Sequence, residues 1–334
     1  MKAFTNANAK DLAHAVTLVR QGQTAGRSVA IAGGGSDLVG MMKERLVAPD
    51  VVVNLKTIKG LDQIKNESGG LTIGGLITLD ALASNAQVRR QYAVLAEAAE
   101  SVATPQIRNV ATLAGNLAQR PWCWYYRNGF NCLKNGGNRC YSIDGENEFH
   151  AIFGGGPSYI VHPSDTAAAL VALDAKVRLV GPAGERVVPA GEFFTLPRVD
   201  AARENVMTAG EVLASVTLPR AAAGLRSTYH KIMDREAWTH AVVSAAVVLD
   251  IDKEVCRAAR IVLGGVAPIP WRLPEVEKLL AGQRITTELA AKAGDAAVAG
   301  ARPLAKNGYK VPLTRAMVAR TIADIADRGS RTGD

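Results

Sequence analysis

The chain has 334 residues, 48% of them apolar and 21% charged, a composition that excludes a disordered or fibrous protein and leaves room for two or three packed domains. Its net charge of +8 raises nucleic-acid binding, but the lysines and arginines are scattered, with no basic helix or aromatic-basic stripe; a basic surface facing an acidic partner or an anionic cofactor is the better reading. No apolar run approaches the length of a membrane span and the opening residues lack a cleavable apolar core, so the chain is expected to stay in a soluble compartment.

In chain order, "DLAHAVTLVR" spaces its apolar residues as a helix does, "SVAIAGGG" is an apolar strand ending in glycines, "SDLVGMMKERL" is a Ser-Asp-capped helix, and "DVVVNL" is a buried strand. Together they predict a small α/β unit. From about residue 55, "GLDQIKNESGGLTIGGLITLDALAS" has the short alternating runs of antiparallel strands, followed by one helix over "SNAQVRRQYAVLAEAAESV". "YIVHPSDTAAALVALDAKVRLVGPAGERVVPAGEFF" predicts a strand, a helix of small residues and a hairpin. After the polar break at "TLPRAAAGLRS", "STYHKIMDREAWTHAVVSAAVVLDI" and "VCRAARIVLGGVAPIPWRL" predict two or three long strands, and residues 273 to 329 predict Ala-rich helices.

Two Gly-rich stretches suit an anion. Gly33-Gly34-Gly35 stand between a strand and a helix, where exposed amides and the lack of a Cβ let backbone approach a pyrophosphate. Leu38 stands where the dinucleotide fingerprint needs its last glycine, so the Rossmann signature fails and a plain tight turn stays open. "TPQIRNVATLAGNLAQ" leads a polar turn into Thr112, Gly115 and Asn116. Two such cradles without a Walker lysine point to a large two-part cofactor.

"RPWCWYYRNGFNCLKNGGNRCYSIDGE" gathers three of the four cysteines, Cys123, Cys132 and Cys140, at C-x8-C-x7-C. Zinc knuckles favour C-x2-C pairs, and none is present. A disulfide plus a free thiol, or an iron–sulfur cluster wrapped by an ordered aromatic loop, are the other readings.

"AGGGSDLVGMMK", "TPQIRNVATLAGNLAQ", "HPSDTAAALVAL" and "YHKIMDREAWTHAVVSAAV" resemble, in order and spacing, the FAD-binding medium subunits of the xanthine dehydrogenase and carbon monoxide dehydrogenase family of molybdenum hydroxylases. Within that family the chain is most similar to the flavin subunit of bacterial three-subunit aldehyde oxidoreductases. The resemblance implies an α+β fold: a vanillyl-alcohol-oxidase (PCMH) type FAD-binding domain of two lobes, 1–55 and 56–222, with the cysteine loop at 120–160, then a C-terminal domain at 223–330 with a three-stranded antiparallel sheet and helices. It assigns Ile31, Ala32, Gly33, Gly34, Gly35, Ser36, Asp37 and Leu38 to the FAD pyrophosphate, completed by Thr112, Ala114, Gly115 and Asn116 from the second lobe. Asp165 falls at a flavin-contacting aspartate, Leu213 at an adenine-side apolar contact and Lys231 at a lysine near the isoalloxazine. Core packing is the alternative for Leu213, and capping of the following helix for Asp165.

The resemblance further implies a four-iron four-sulfur cluster on Cys123, Cys132 and Cys140. The fourth family cysteine maps to Ser158, a harder donor that is costly to deprotonate, so Ser158 ligates an iron, or that iron is lost, or an exogenous ligand completes the cluster. Cys256 reads as a buried apolar thiol, and His150 and His162 as alternative donors for the fourth position or, with more weight, as core-satisfied or solvated histidines. The implied function is electron transfer. Electrons from a molybdenum cofactor-binding large subunit pass through a two-iron two-sulfur small subunit to FAD here and then to an external acceptor, with no acid–base pair of this chain's own. A free-standing FAD oxidase and a zinc-stapled binding module are the rivals. The expected location is the cytoplasm, or the periplasm after export with a signal-bearing partner.

Overall fold

The computed structural model describes residues 1–67, 69–236 and 239–327. Its first sheet draws on residues near the start of the chain: β1 (Thr5–Asn8), α1 (Leu12–Thr24), β2 (Val29–Ala32), α2 (Leu38–Lys43) and β3 (Val51–Asn54). β3 lies between β1 and β2 and is parallel to both. A central parallel strand is covered on both faces, which is why Val51, Val52 and Val53 form an unbroken buried run. Asp11 starts α1 by accepting the His14 amide at 2.7 Å.

The second unit runs through β4 (Ile64–Glu67), β5 (Gly70–Gly74), α3 (Leu79–Ser84), α4 (Ala86–Gln91), α5 (Ala93–Glu100), α6 (Pro105–Arg108), α7 (Leu113–Leu117), α8 (Trp124–Arg127), α9 (Asp165–Ala172), β6 (Lys176–Gly181), β7 (Gly184–Pro189), α10 (Ala190–Phe193) and β8 (Val212–Pro219). Its antiparallel sheet has the order β4-β5-β8-β6-β7. The single helix expected over "SNAQ…ESV" is two. Tyr92, at φ −138° and ψ 53°, breaks it between α4 and α5 and donates its hydroxyl to the Pro219 carbonyl at 2.8 Å, so a tertiary contact overrides a continuous helical pattern. The turn expected in "TPQIRNVATLAGNLAQ" is two short helices, α6 and α7.

The third unit contains β9 (Leu225–Ile232), β10 (Val243–Asp252), β11 (Val255–Gly264), β12 (Trp271–Arg272), α11 (Pro274–Leu280), β13 (Gln283–Arg284), α12 (Thr287–Ala297) and α13 (Lys310–Asp327). The three long strands form an antiparallel sheet in the order β11-β10-β9, to which two-residue strands β12 and β13 add at β11. α13 and α11 pack on this sheet, and α5 and α9 of the second unit pack on it too. Burial from both sides explains the near-continuous apolar β10, and the alanines of α9, all buried, let helix and strand approach closely. Cys256 is such a core residue, fully buried among the residues beneath α11 and α13. None of the helices among the described residues is long and apolar enough to cross a membrane.

Candidate functional site

The first Gly-rich loop, Gly33 to Asp37, joins β2 to α2 and touches the second. A Cβ on Gly34 would lie 1.8 Å from the Val110 carbonyl oxygen, and one on Gly33 would lie 2.8 Å from Thr112 Oγ1. Gly35 has φ of 77°, the left-handed region where a side chain is strained. These glycines therefore serve close approach as well as the turn. Ile31 and Ala32 end β2, while Leu38 begins α2.

On the second loop, Thr112 caps α7 by accepting the Gly115 amide at 3.2 Å, and the Ala114 amide donates to the Gly75 carbonyl at 2.9 Å. Asn116 ties α7 to α9: its Oδ1 accepts from Ser164 Oγ at 2.5 Å and Thr166 Oγ1 at 2.6 Å. Ser36, Asp37, Gly115, Asn116, Asp165 and Lys231 share the wall of one cavity of about 210 Å³. Ala103, held at φ 46°, lies in the same wall, the kind of backbone strain that persists where surrounding structure enforces it.

The helix-capping alternative for Asp165 is overturned. Ser164 caps α9, accepting the Ala167 amide at 3.1 Å, and Asp165 sits one residue on. Its carboxylate accepts from Lys231 Nζ at 2.7 Å and from Tyr229 Oη at 2.5 Å, and the Lys231 and Asp165 side chains are 3% and 5% exposed. Tyr229 and Lys231 alternate along β9, so both side chains leave the same face toward the start of α9. Burial, then the Asp165 charge, drives the Tyr229 phenol well above its ordinary pKa. Leu213 is buried within β8 among core residues and does not line this cavity.

The cysteine loop closes over the same region. Arg127, on α8, donates to Asp37 Oδ1 at 2.7 Å and to the carbonyls of Pro121 and Arg120, and its guanidinium covers the Trp122 ring at 4.2 Å. The Arg120 amide donates to the other Asp37 oxygen at 2.9 Å. Asp37 therefore clasps the loop instead of capping α2. Cys123, Cys132, Cys140 and Ser158 surround one small void of about 10 Å³ walled by Tyr125, Tyr126 and Tyr141. All four cysteines of the chain are free thiols. Cys123 Sγ lies 3.4 Å from His150 Nε2, and burial pushes its thiol up to about 11 against the pull of the Tyr126 and Tyr125 amides. Among the described residues no three of His, Cys, Asp or Glu converge on one point as the ligands of a single ion do; the donors are spread round the void.

Sequence reasoning missed Trp122, Tyr229, Arg127 and His240. Only Tyr229 carried a signal, its position two residues before Lys231 on a strand.

Two Gly-rich loops meeting over a cavity, closed by a buried pair of Asp165 from the second unit and Lys231 from the third, define a nucleotide-cofactor protein of two lobes plus a covering domain. Residues 2–221 match the model of the FAD binding domain in molybdopterin dehydrogenase, and 228–325 that of the CO dehydrogenase flavoprotein C-terminal domain. The chain is 34% identical to the aldehyde oxidoreductase FAD-binding subunit PaoB of Escherichia coli, over 97% of this chain and 98% of the relative. It is 28% identical to the carbon monoxide dehydrogenase medium chain of Hydrogenophaga pseudoflava, over 94% and 93%. It superimposes on the solved structure of a Hydrogenophaga pseudoflava carbon monoxide dehydrogenase chain, from enzyme lacking the Mo-pyranopterin moiety, with TM-score 0.74 at 27% identity, covering 95% of each chain. The chain belongs to the FAD-binding family of molybdopterin dehydrogenases, and FAD is its cofactor.

Proposed function

We propose that this chain is the flavin subunit of a molybdenum-containing aldehyde oxidoreductase, receiving electrons from the iron–sulfur small subunit of a complex whose large subunit oxidises the substrate. The reading rests on full-length likeness to an aldehyde oxidoreductase FAD-binding subunit combined with a cavity that joins both Gly-rich loops to Asp165 and Lys231. Gly33, Gly34, Gly35, Ser36 and Asp37 would receive the pyrophosphate with Thr112, Ala114, Gly115 and Asn116, while Asp165 and Lys231 would hold the flavin ring edge. Bound FAD supplies the conversion between electron pairs and single electrons. This chain's part is to orient and shelter it: the Lys231 ammonium and Tyr229 hydroxyl fix the Asp165 carboxylate, which stays an acceptor for a flavin N–H. Leu213 is assigned an indirect role, backing Gly75 just after β5, where a Cβ would lie 2.4 Å from the Leu213 carbonyl oxygen.

Cys123, Cys132, Cys140 and Ser158 would hold an iron–sulfur cluster. Free thiols round one sheltered void, with tyrosines as its walls, support that donor set, and an oxygen donor at the fourth corner predicts one iron of distinct character. Iron, acid-labile sulfide and flavin analysis of the purified complex tests these assignments, repeated with Ser158→Cys. Flavin with an iron signal altered by Ser158→Cys is expected; an unchanged iron content and spectrum removes Ser158 from the donor set, and absence of flavin overturns the whole reading.

A further inference from the structure

Cys123 Sγ is met by hydrogen-bond donors from two segments of the chain. The Tyr126 and Tyr125 amides reach it from the first turn of α8. From further along the loop, 27 residues away, His150 Nε2 lies 3.4 Å from the sulfur. The other ring nitrogen of His150, Nδ1, is buried and has no partner. Which nitrogen carries the hydrogen follows from the chemistry of ligation. A cysteine that holds iron is a thiolate with no hydrogen to give, so at this contact the imidazole is the donor.

The ring is held in place from several sides. His150 is buried, and its ring lies 6.2 Å from that of Tyr125, one of the walls of the cysteine void. Its amide donates to the Asn147 carbonyl at 3.0 Å, and its carbonyl accepts from Asn307 Nδ2 at 3.0 Å and Lys310 Nζ at 3.2 Å. Asn307 and Lys310 are both fully buried, and they come from the third unit. Asn147 is tied to that unit as well: its Oδ1 accepts the Lys306 amide at 2.9 Å, while its Nδ2 donates to the Ser142 carbonyl at 2.9 Å. Ser142 Oγ in turn lies 3.1 Å from Cys140 Sγ. The third unit thus reaches two of the loop's sulfurs through fixed polar contacts.

A hydrogen bond to a ligating sulfur favours the reduced form of a cluster over the oxidised one, because the added electron increases the negative charge that the sulfurs carry. A donor fixed before the electron arrives needs no reorganisation when it does.

We propose that His150 is a positioning residue for the cluster of the cysteine loop: its Nε2–H, aimed at Cys123 Sγ by the contacts with Asn147, Asn307 and Lys310, raises the cluster's reduction potential without ligating iron. The proposal rests on the cluster reading. No bond forms or breaks and no proton moves; one electron, supplied by the small subunit, is the whole exchange.

The test is a redox titration of the purified complex followed by EPR, in which the fast-relaxing four-iron signal is separated from the two-iron signals by temperature. His150→Phe keeps a ring and removes the donor. It should retain its iron and acid-labile sulfide and shift the reduction equilibrium about tenfold against the reduced form, a fall of about 59 mV for one electron. His150→Gln, which restores an N–H, should recover most of that shift. The wild-type complex carries a check that needs no variant to fold: labelling its histidines with nitrogen-15 should reveal a weak nitrogen coupling in the reduced four-iron signal. An equilibrium in His150→Phe within about twofold of wild type, or no nitrogen coupling in the wild type, overturns the proposal. A coupling as strong as that of a directly bound nitrogen, with iron lost from His150→Phe, overturns it in favour of His150 as a ligand. A wild-type complex with flavin but no iron in this subunit sinks the cluster reading and the proposal with it, whereas iron present with an unmoved potential sinks the proposal alone.

Discussion

Gly34 is the residue at which the two lobes come closest, with the Val110 carbonyl where its side chain would be. Gly34→Ala should push the loops apart at a cost of ~1–3 kcal/mol and release FAD on gel filtration. Gly40→Ala, on α2 with nothing within 4 Å of its Cβ, should retain FAD and stability, which urea unfolding and flavin content would show together. The buried pair of Asp165 and Lys231 has the opposite character, since each charge is tolerable only because of the other. Lys231→Met should destabilise the apoprotein by ~3–5 kcal/mol in urea titration, and adding Asp165→Asn should recover part of that loss, because the stranded carboxylate disappears.

At the scale of elements, the first sheet is tied by Asp50, which bonds Lys2 Nζ at 2.6 Å and the Ser28 amide at 2.8 Å between β2 and β3. The Lys2 ammonium, then the Ser28 donors, hold its carboxyl below the ordinary value of 3.8, at about 2. A depressed carboxyl contributes stability that is complete above the unfolded value and vanishes as pH falls through the folded one. The urea midpoint should therefore fall between pH 4 and 2 on this account, and Asp50→Asn should flatten that part of the profile.

The elements also show what sequence can disclose. Gly33 to Gly35 and the buried β3 and β10 were legible, since local backbone freedom and apolar periodicity write themselves into a short window. The break at Tyr92 was not, because its cause is a carbonyl in β8. Arg127 and Trp122 escaped notice for the same reason: the partner that makes Arg127 matter, Asp37, is 90 residues away. The order of donors round the cysteine void was legible only through resemblance, since the spacing alone left zinc, disulfide and cluster open.

At the scale of the whole molecule, one lysine fastens the third unit to the loop that follows the cysteines. Lys310 opens α13 fully buried, and its Nζ donates to the carbonyls of Phe149 at 2.9 Å, His150 at 3.2 Å and Gly265 at 2.7 Å. Burial lowers the ammonium to about 7, against the pull of the Asp234 charge. Lys310→Met leaves buried acceptors bare and should cost ~1–3 kcal/mol, with hydrogen exchange accelerating in the 149–151 segment ahead of the sheets. Phe149 and His150 line a cavity of about 460 Å³ that also has Asp165 in its wall, so the same variant should also loosen its rim. The clasp of Asp37 by Arg127 and the Arg120 amide has a consequence for cofactor uptake. One carboxylate belongs at once to the Gly-rich loop and to the strap that lies over it, so whatever rearranges that loop is felt at the strap. Asp37→Ala should therefore change the rate of FAD uptake by the apoprotein, read by quenching of flavin fluorescence, and an unchanged rate would show that the two move independently.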